Sequence, residues 1–256
     1  MKVLVCGKGG SGKSTISALI ARSLKDMGFR VLLVDADESN FGLHGLMGVS
    51  APLNLMDSLG GKKEFKQKMK PAFPGTQGDE LFPGRLSIDE MPAECIAEAD
   101  GIKLLTIGKI HDFGEGCACP MGVLSKMMLS KLDVGENEIV VIDTEAGIEH
   151  FGRRVDAECD MILGIVDPSF ESFMLAEKIQ GMAEKAGTDI FFVLNRVNHR
   201  VEKTMRDNLV KGKIIAAIPD SEAIFMESLN GKKLSTNLPE IDAISRLIRD
   251  FRKKTG

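Results

Sequence analysis

The most constraining feature of this chain lies at its start. A short apolar run, Lys2 to Cys6, leads directly into Gly7-Lys8-Gly9-Gly10-Ser11-Gly12-Lys13-Ser14-Thr15, and apolar residues at helical spacing follow. Strand, glycine loop and helix in that order, with the spacing G-x-x-x-x-G-K-[ST], form the arrangement in which successive backbone N–H groups turn inward around phosphate oxygens. Glycines serve here because side chains would block the approach, and the dipole of the following helix adds positive potential. Lys13 is then placed to reach the β- and γ-phosphates of a nucleotide, and the Ser14 hydroxyl to ligate Mg²⁺. Gly9, Gly10, Ser11, Gly12 and Thr15 complete the cradle. A glycine-rich turn with a chance Lys-Ser is the bland alternative, and the strand and helix on either side argue against it.

The rest of the chain supplies a matching frame. Near-continuous apolar runs at Lys2 to Cys6, Arg30 to Asp35, Ile102 to Ile107, Glu138 to Asp143, Met161 to Val166, Asp189 to Leu194 and Lys213 to Ile218 predict strands buried on both faces. Ser14 to Met27, Ser169 to Ala186, Val201 to Val210 and Pro239 to Lys253 carry helical spacing, and in the last of these Ile241, Ile244, Leu247, Ile248 and Phe251 form one stripe. The predicted fold is α/β: a doubly wound, mostly parallel sheet with helices on both faces, in a single domain spanning 1–256. An irregular, partly helical insertion at about 44–100 interrupts the alternation, with Lys62, Lys63, Lys66, Lys68 and Lys70 clustered in it. The formal net charge is −4, so that cluster reads as a solvated face and not as a nucleic-acid patch.

The five cysteines are too few for a disulfide scaffold, no apolar run approaches the ~18 residues of a membrane span, and the first strand leaves no room for a signal peptide. The expectation is a cytoplasmic protein with neither nucleic acid nor membrane as partner. Trp and Tyr are absent altogether, for which composition offers no reason.

Lys8 places a second lysine in a loop that needs one. The run K-G-G-S-G-K-S-T resembles the deviant phosphate-loop ATPases, which include the MinD-like division-site and partitioning ATPases, the nitrogenase iron protein and the metal-insertion ATPases. The resemblance implies a homodimer with ATP between the subunits, and Lys8 reaching across to the phosphates bound by the other subunit.

Asp35 and Asp37 close the second predicted strand, at the carboxyl edge where open α/β sheets bind ligands. The resemblance makes Asp37 the residue that orients the attacking water and puts Asp35 nearer the Mg²⁺ shell. Either side chain could instead cap the following turn, Asp35 more readily than Asp37. Ile139-Val140-Val141-Ile142-Asp143 is an apolar strand closed by a carboxylate, the form expected of a residue that holds Mg²⁺ through water. The following Thr144-Glu145-Ala146-Gly147 resembles the family's second switch, in which the Gly147 N–H would sense the γ-phosphate. By the same resemblance Asn195 would hydrogen-bond the adenine edge and Pro219 would line the base pocket, although Arg196 stands where the family usually has Lys.

Gly116-Cys117-Ala118-Cys119-Pro120 precedes a helical face of Met121, Leu124, Met128 and Leu132. Pro120 suits the first helical position, which puts Cys119 at or beside the cap, where thiol pKa values fall and sulfurs become ligands or nucleophiles. Two thiolates do not complete a metal shell, and a two-fold dimer doubles them to four. Cys117 and Cys119 of each subunit would then form a site suited to Zn²⁺, Ni²⁺ or an iron–sulfur cluster.

This pair, with Ala146-Gly147-Ile148-Glu149-His150 after the second switch, resembles the CooC-type ATPases that help insert nickel into carbon monoxide dehydrogenase. The implied activity is that of an ATP-hydrolysing metallochaperone that needs Mg²⁺, shares Ni²⁺ or Zn²⁺ between subunits and serves that enzyme as client. The alternatives are an iron–sulfur carrier or reductase-type ATPase, and a positioning or partitioning ATPase. Cys6, Cys95 and Cys159 read as small buried hydrophobes, and His111 and His150 as surface or interfacial residues.

Overall fold

Alternation along the first strand decides how the two faces of the molecule are built. In β1 (Lys2–Gly7), Leu4 and Cys6 enter one hydrophobic core while Val3 and Val5 enter another on the opposite face. The computed structural model describes residues 1–69, 81–82, 84–110, 119–148, 151, 155–209 and 213–255. After β1 come α1 (Lys13–Asp26), β2 (Arg30–Ala36), α2 (Leu43–Met47), α3 (Leu55–Ser58), α4 (Gly61–Lys68), β3 (Ile96–Ala99), β4 (Ile102–Thr106), α5 (Cys119–Lys131) and β5 (Glu138–Thr144). The chain continues through β6 (Met161–Val166), α6 (Phe170–Ala186), β7 (Asp189–Val197), α7 (Glu202–Asp207), β8 (Ile214–Pro219), α8 (Glu222–Leu229) and α9 (Pro239–Thr255).

Among the described residues eight strands form one sheet in the order β3-β4-β2-β5-β1-β6-β7-β8, parallel throughout except for β3. The expected doubly wound, mostly parallel sheet is therefore present, and each predicted strand appears within three residues of its expected ends. One face is covered by α5 and α6, whose Leu124, Met128, Leu129, Ala176 and Ile179 are buried. The other is covered by α1 and α9. The stripe expected on α9 is real: Ile241, Ile244 and Ile248 are buried, and Leu247 and Phe251 pack at its margin.

Two elements depart from the expected pattern. The segment at 44–100 holds α2, α3 and α4, and it also supplies β3, which pairs antiparallel with β4 and forms the edge of the sheet. It is thus partly built into the sheet. In α4 only Phe65 is buried, while Lys63, Lys66 and Lys68 face solvent as a charged face should. Helix α8 was not expected, because no apolar stripe marks it; Ser221 caps it by accepting from the Ile224 N–H, and Phe225, Met226 and Leu229 stand exposed. Among the described residues no helix is long and apolar enough to cross a membrane.

Ile244 is fully buried between α9 and the sheet, so Ile244→Ala should cost about 2–5 kcal/mol in urea unfolding. Arg246→Ala, on the exposed side of the same helix, should change stability by less than about 0.5 kcal/mol.

Candidate functional site

The carboxyl ends of β1, β2 and β5 meet at one place, because β5 lies between β1 and β2 and register sets Asp143 beside both Val5 and Asp35. The glycine loop follows β1 here. Gly7 adopts φ +147, and a Cβ on it would stand 2.4 Å from the Ile165 carbonyl of the neighbouring β6. Gly12 caps α1 at φ +98, and a Cβ there would lie 2.4 Å from Asn195 Nδ2. Both positions need glycine for room as well as for backbone angle. Within the loop, the Ser11 N–H donates to the Lys8 carbonyl at 3.1 Å, and the Ser11 hydroxyl is fully buried with no hydrogen-bond partner. An orphaned buried hydroxyl in a loop of inward-turning backbone suits an anionic ligand. Lys13 is also buried, its Nζ 3.4 Å from the Lys8 carbonyl.

The carboxylates form a layer beneath this loop. Asp143 is fully buried; its Oδ2 accepts from the Ser14 hydroxyl at 2.5 Å and its Oδ1 from the Ser17 hydroxyl at 3.2 Å. Burial pushes its pKa up to about 7 against the opposing pull of the Ser14 bond and Lys13, and the charge of Asp35 adds to the rise. Asp35 is pushed up to about 6, again by burial, although Lys109 Nζ lies 2.7 Å from its Oδ2.

Two buried carboxyls held this far above their ordinary range are short of positive charge. With the Ser14 hydroxyl beside them and phosphate oxygens to complete the shell, the donor set fits Mg²⁺, which takes one or two carboxylates together with substrate phosphates. Among the described residues no group of three or more His, Cys, Asp or Glu is arranged to hold a metal by itself.

Both carboxylates cap the turn that follows β2: Asp35 Oδ1 accepts from the Asp37 N–H at 3.3 Å, and Asp37 caps the next step. Asp37 Oδ1 accepts from the Ser39 N–H at 2.9 Å and the Ser39 hydroxyl at 2.7 Å, while the other oxygen of Asp35, Oδ2, is paired with Lys109. Gly147 adopts φ +94, and its N–H donates to the Gly7 carbonyl at 3.2 Å. Lys8 turns back within its own chain: Nζ donates to Ser169 Oγ at 2.9 Å and lies 3.5 Å from Asp167 Oδ2.

Asn195 and Pro219 line one cavity. A bulge in β7, with Arg196 at φ +56, turns the Asn195 amide toward the loop, where it donates to the Ser11 carbonyl at 2.8 Å. A cavity of about 110 Å³ opens there, lined by Gly12, Thr15, Leu19, Asn195, Ile218 and Pro219. It adjoins the glycine loop on the side away from the carboxylates and has the mixed apolar and amide lining of a base pocket.

Two residues of this constellation were not anticipated. Asn40 Nδ2 donates to Ser14 Oγ at 2.6 Å, and Lys109 bonds Asp35 together with the main chain of Asp37 and Asn40. The place of Lys109, just past the carboxyl end of a parallel strand, was the available signal.

Of the cysteines, Cys119 opens α5, is exposed and is disulfide-bonded, whereas Cys117, like His111 and His150, lies outside the described residues. Cys6, Cys95 and Cys159 are buried free thiols. Burial pushes the thiol of Cys6 up to about 12, and those of Cys95 and Cys159 upward as well, which leaves them protonated and inert.

Glycine loop, flanking lysines and strand-end carboxylates on a parallel sheet define a phosphate-loop nucleotide-binding protein. Residues 2–234 match the CobQ/CobB/MinD/ParA nucleotide binding domain, and the chain belongs to that family. It is accordingly an ATPase.

An uncharacterized ATP-binding protein of Methanocaldococcus jannaschii is 46 % identical over 248 residues, covering 97 % of this chain and 99 % of that protein. The carbon monoxide dehydrogenase accessory protein CooC of Rhodospirillum rubrum is 33 % identical over 233 residues, covering 88 % of this chain and 85 % of its own. In fold the chain is similar to the septum site-determining protein MinD of Pyrococcus horikoshii complexed with Mg-ADP. There the TM-score is 0.69 at 18 % identity, covering 100 % of this chain and 98 % of that one.

Gly12→Val should weaken binding of a fluorescent ATP analogue by about tenfold or more, because the side chain meets Asn195 and left-handed backbone strain of about 1–3 kcal/mol is added. Fluorescence titration of the folded variant measures this.

Proposed function

We propose that this protein is an ATP-hydrolysing homodimeric metallochaperone that assists nickel insertion into carbon monoxide dehydrogenase. A divalent transition metal, Ni²⁺ or Zn²⁺, is its cargo, held between subunits by Cys117 and Cys119 of each chain. The observation that carries this reading is the 33 % identity, over most of both chains, to a protein whose name is carbon monoxide dehydrogenase accessory protein. The C-x-C pair supports it, since a positioning or partitioning output has no use for paired thiols. Cys119 stands exposed at the start of a helix and is disulfide-bonded in this structure, so the metal-binding form of the pair is the reduced one.

In the nucleotide site, the backbone of Gly9 to Thr15 cradles the phosphates and Lys13 neutralises their charge. Ser14 holds Mg²⁺, with Asp35 and Asp143 around it, and the ion when bound neutralises charge on the β- and γ-phosphate oxygens. Asp37 orients the attacking water. Asn195 and Pro219 receive the adenine, and Gly147 exchanges its bond to Gly7 for one to the γ-phosphate. Lys8 leaves Ser169 and Asp167 and reaches the phosphates of the other subunit. Closure on ATP and release after hydrolysis then change the hold on the metal, because the thiols that bind it come from both chains. The protein works in the cytoplasm, with neither nucleic acid nor membrane as partner.

Metal titration with and without a nonhydrolysable ATP analogue tests the shared site. One metal per two chains is expected, lost in Cys117→Ser/Cys119→Ser; the same stoichiometry in that variant would remove the cysteines from the site. Without Trp or Tyr, a metal–thiolate band should be visible against little protein absorbance. A coloured protein isolated without oxygen, indifferent to nickel, would favour the iron–sulfur alternative.

Lys8→Ala should lower the rate of hydrolysis by about 100-fold or more while leaving nucleotide affinity within a few-fold, as removal of a group that acts on the transition state does. Steady-state kinetics beside a binding titration separates the two.

A further inference from the structure

Lys109 lies just past the end of β4, and its side chain is only 8 % exposed. Lysine is rarely buried unless its charge is paired, and an ammonium has three hydrogens to place. Here each has an acceptor: Asp35 Oδ2 at 2.7 Å, the main-chain carbonyl of Asp37 at 2.5 Å, and the main-chain carbonyl of Asn40. Neutralising Asp35 would require one of these bonds. The other two go to the loop that follows β2, at the residues whose side chains form the turn with Ser39 and reach Ser14.

The anchor itself is held firmly. A Cβ on Gly108 would stand 3.0 Å from Met121 Cγ and 3.1 Å from Met56 Cβ, so the backbone before Lys109 is wedged between α3 and α5. The Ile110 N–H adds a bond to the Glu38 carbonyl at 3.1 Å, and the ammonium lies 5.9 Å from the centre of the Phe41 ring.

We propose that Lys109 is a positioning residue for ATP hydrolysis: its ammonium ties the Asp35 carboxylate to the carbonyls of Asp37 and Asn40, fixing the loop that presents Asp37 to the nucleotide and Asn40 to Ser14. This rests on the assignment of Asp35 and Asp37 to the nucleotide site. Lys109 touches neither ATP nor water in this role; it acts through the loop. Three divergent acceptors suit the ammonium. The planar fork of an arginine would keep the charge and lose the convergence.

The test uses the full chain as Lys109→Met, Lys109→Arg and Asp37→Ala, with melting curves, fluorescent ADP binding without Mg²⁺, and steady-state hydrolysis at varied ATP and Mg²⁺. Asp37→Ala must lose hydrolysis if the underlying assignment is right, so its behaviour separates failure of that assignment from failure of this proposal. Lys109→Met should lower kcat about 10–100-fold, the size expected when a reacting geometry shifts by about an ångström, and leave ADP affinity within about threefold. Lys109→Arg retains the buried charge pair; it should melt near the unsubstituted protein yet recover only part of kcat. If Lys109→Met does not fold, Lys109→Arg alone decides. Unchanged kcat in either variant, with Asp37→Ala inactive, would overturn the proposal.

Discussion

The rest of the site depends on one constraint: two carboxylates, Asp35 and Asp143, sit side by side in register beneath a loop built to receive phosphate, out of reach of water. Buried carboxylates need positive charge or protons, and the molecule meets that need in parts. Lys109 serves Asp35, Lys13 lies near Asp143, and the hydroxyls of Ser14 and Ser17 satisfy the Asp143 oxygens. Their raised pKa values show that these groups do not fully compensate the burial. A divalent cation brought in with ATP would supply what is lacking, and the donor set fits Mg²⁺ in that role.

The same arrangement explains why several signalling groups are occupied within the chain. Gly147 donates to Gly7, Asn40 to Ser14, Lys13 to Lys8, and Lys8 to Ser169. Each bond is local and replaceable by a phosphate oxygen or the cation. Exchange of internal partners for ligand partners would give two states of the loops a differential contact with ATP, which is what any nucleotide-driven change of shape requires.

Much of this was legible in the sequence. The strand ends at Asp35 and Asp143, the loop from Gly7 to Thr15, and Asn195 all announce themselves, because a buried parallel strand is a continuous apolar run and its terminal polar residue stands out. Lys109 did not, since a lysine after Gly108 in a loop looks like ordinary surface charge, and two of its acceptors are main-chain carbonyls that only the tertiary fold brings to it. Strand β3 escaped because Ile96-Ala97-Glu98-Ala99 is too short to show a period, and α8 because its apolar residues do not pack inward. Asp37 illustrates a different limit: the pattern favoured Asp35 as the turn cap, and Asp35 does accept from the Asp37 N–H, but that Asp37 caps the turn too, through Ser39, is visible only in the tertiary structure.

The family assignment accounts for ATP, and the paired cysteines give the proposal its particular cargo. Both would meet in the proposed dimer, where Lys8 and the thiols of each chain would act on the other. Sedimentation equilibrium of the full chain over a range of Ni²⁺ concentrations, with and without a nonhydrolysable ATP analogue, tests that meeting point most directly. Linkage predicts that the metal tightens the ATP-bound dimer by the same factor by which dimerisation tightens the metal. A chain that binds nickel fully as a monomer, with an association constant indifferent to the metal, would contradict it.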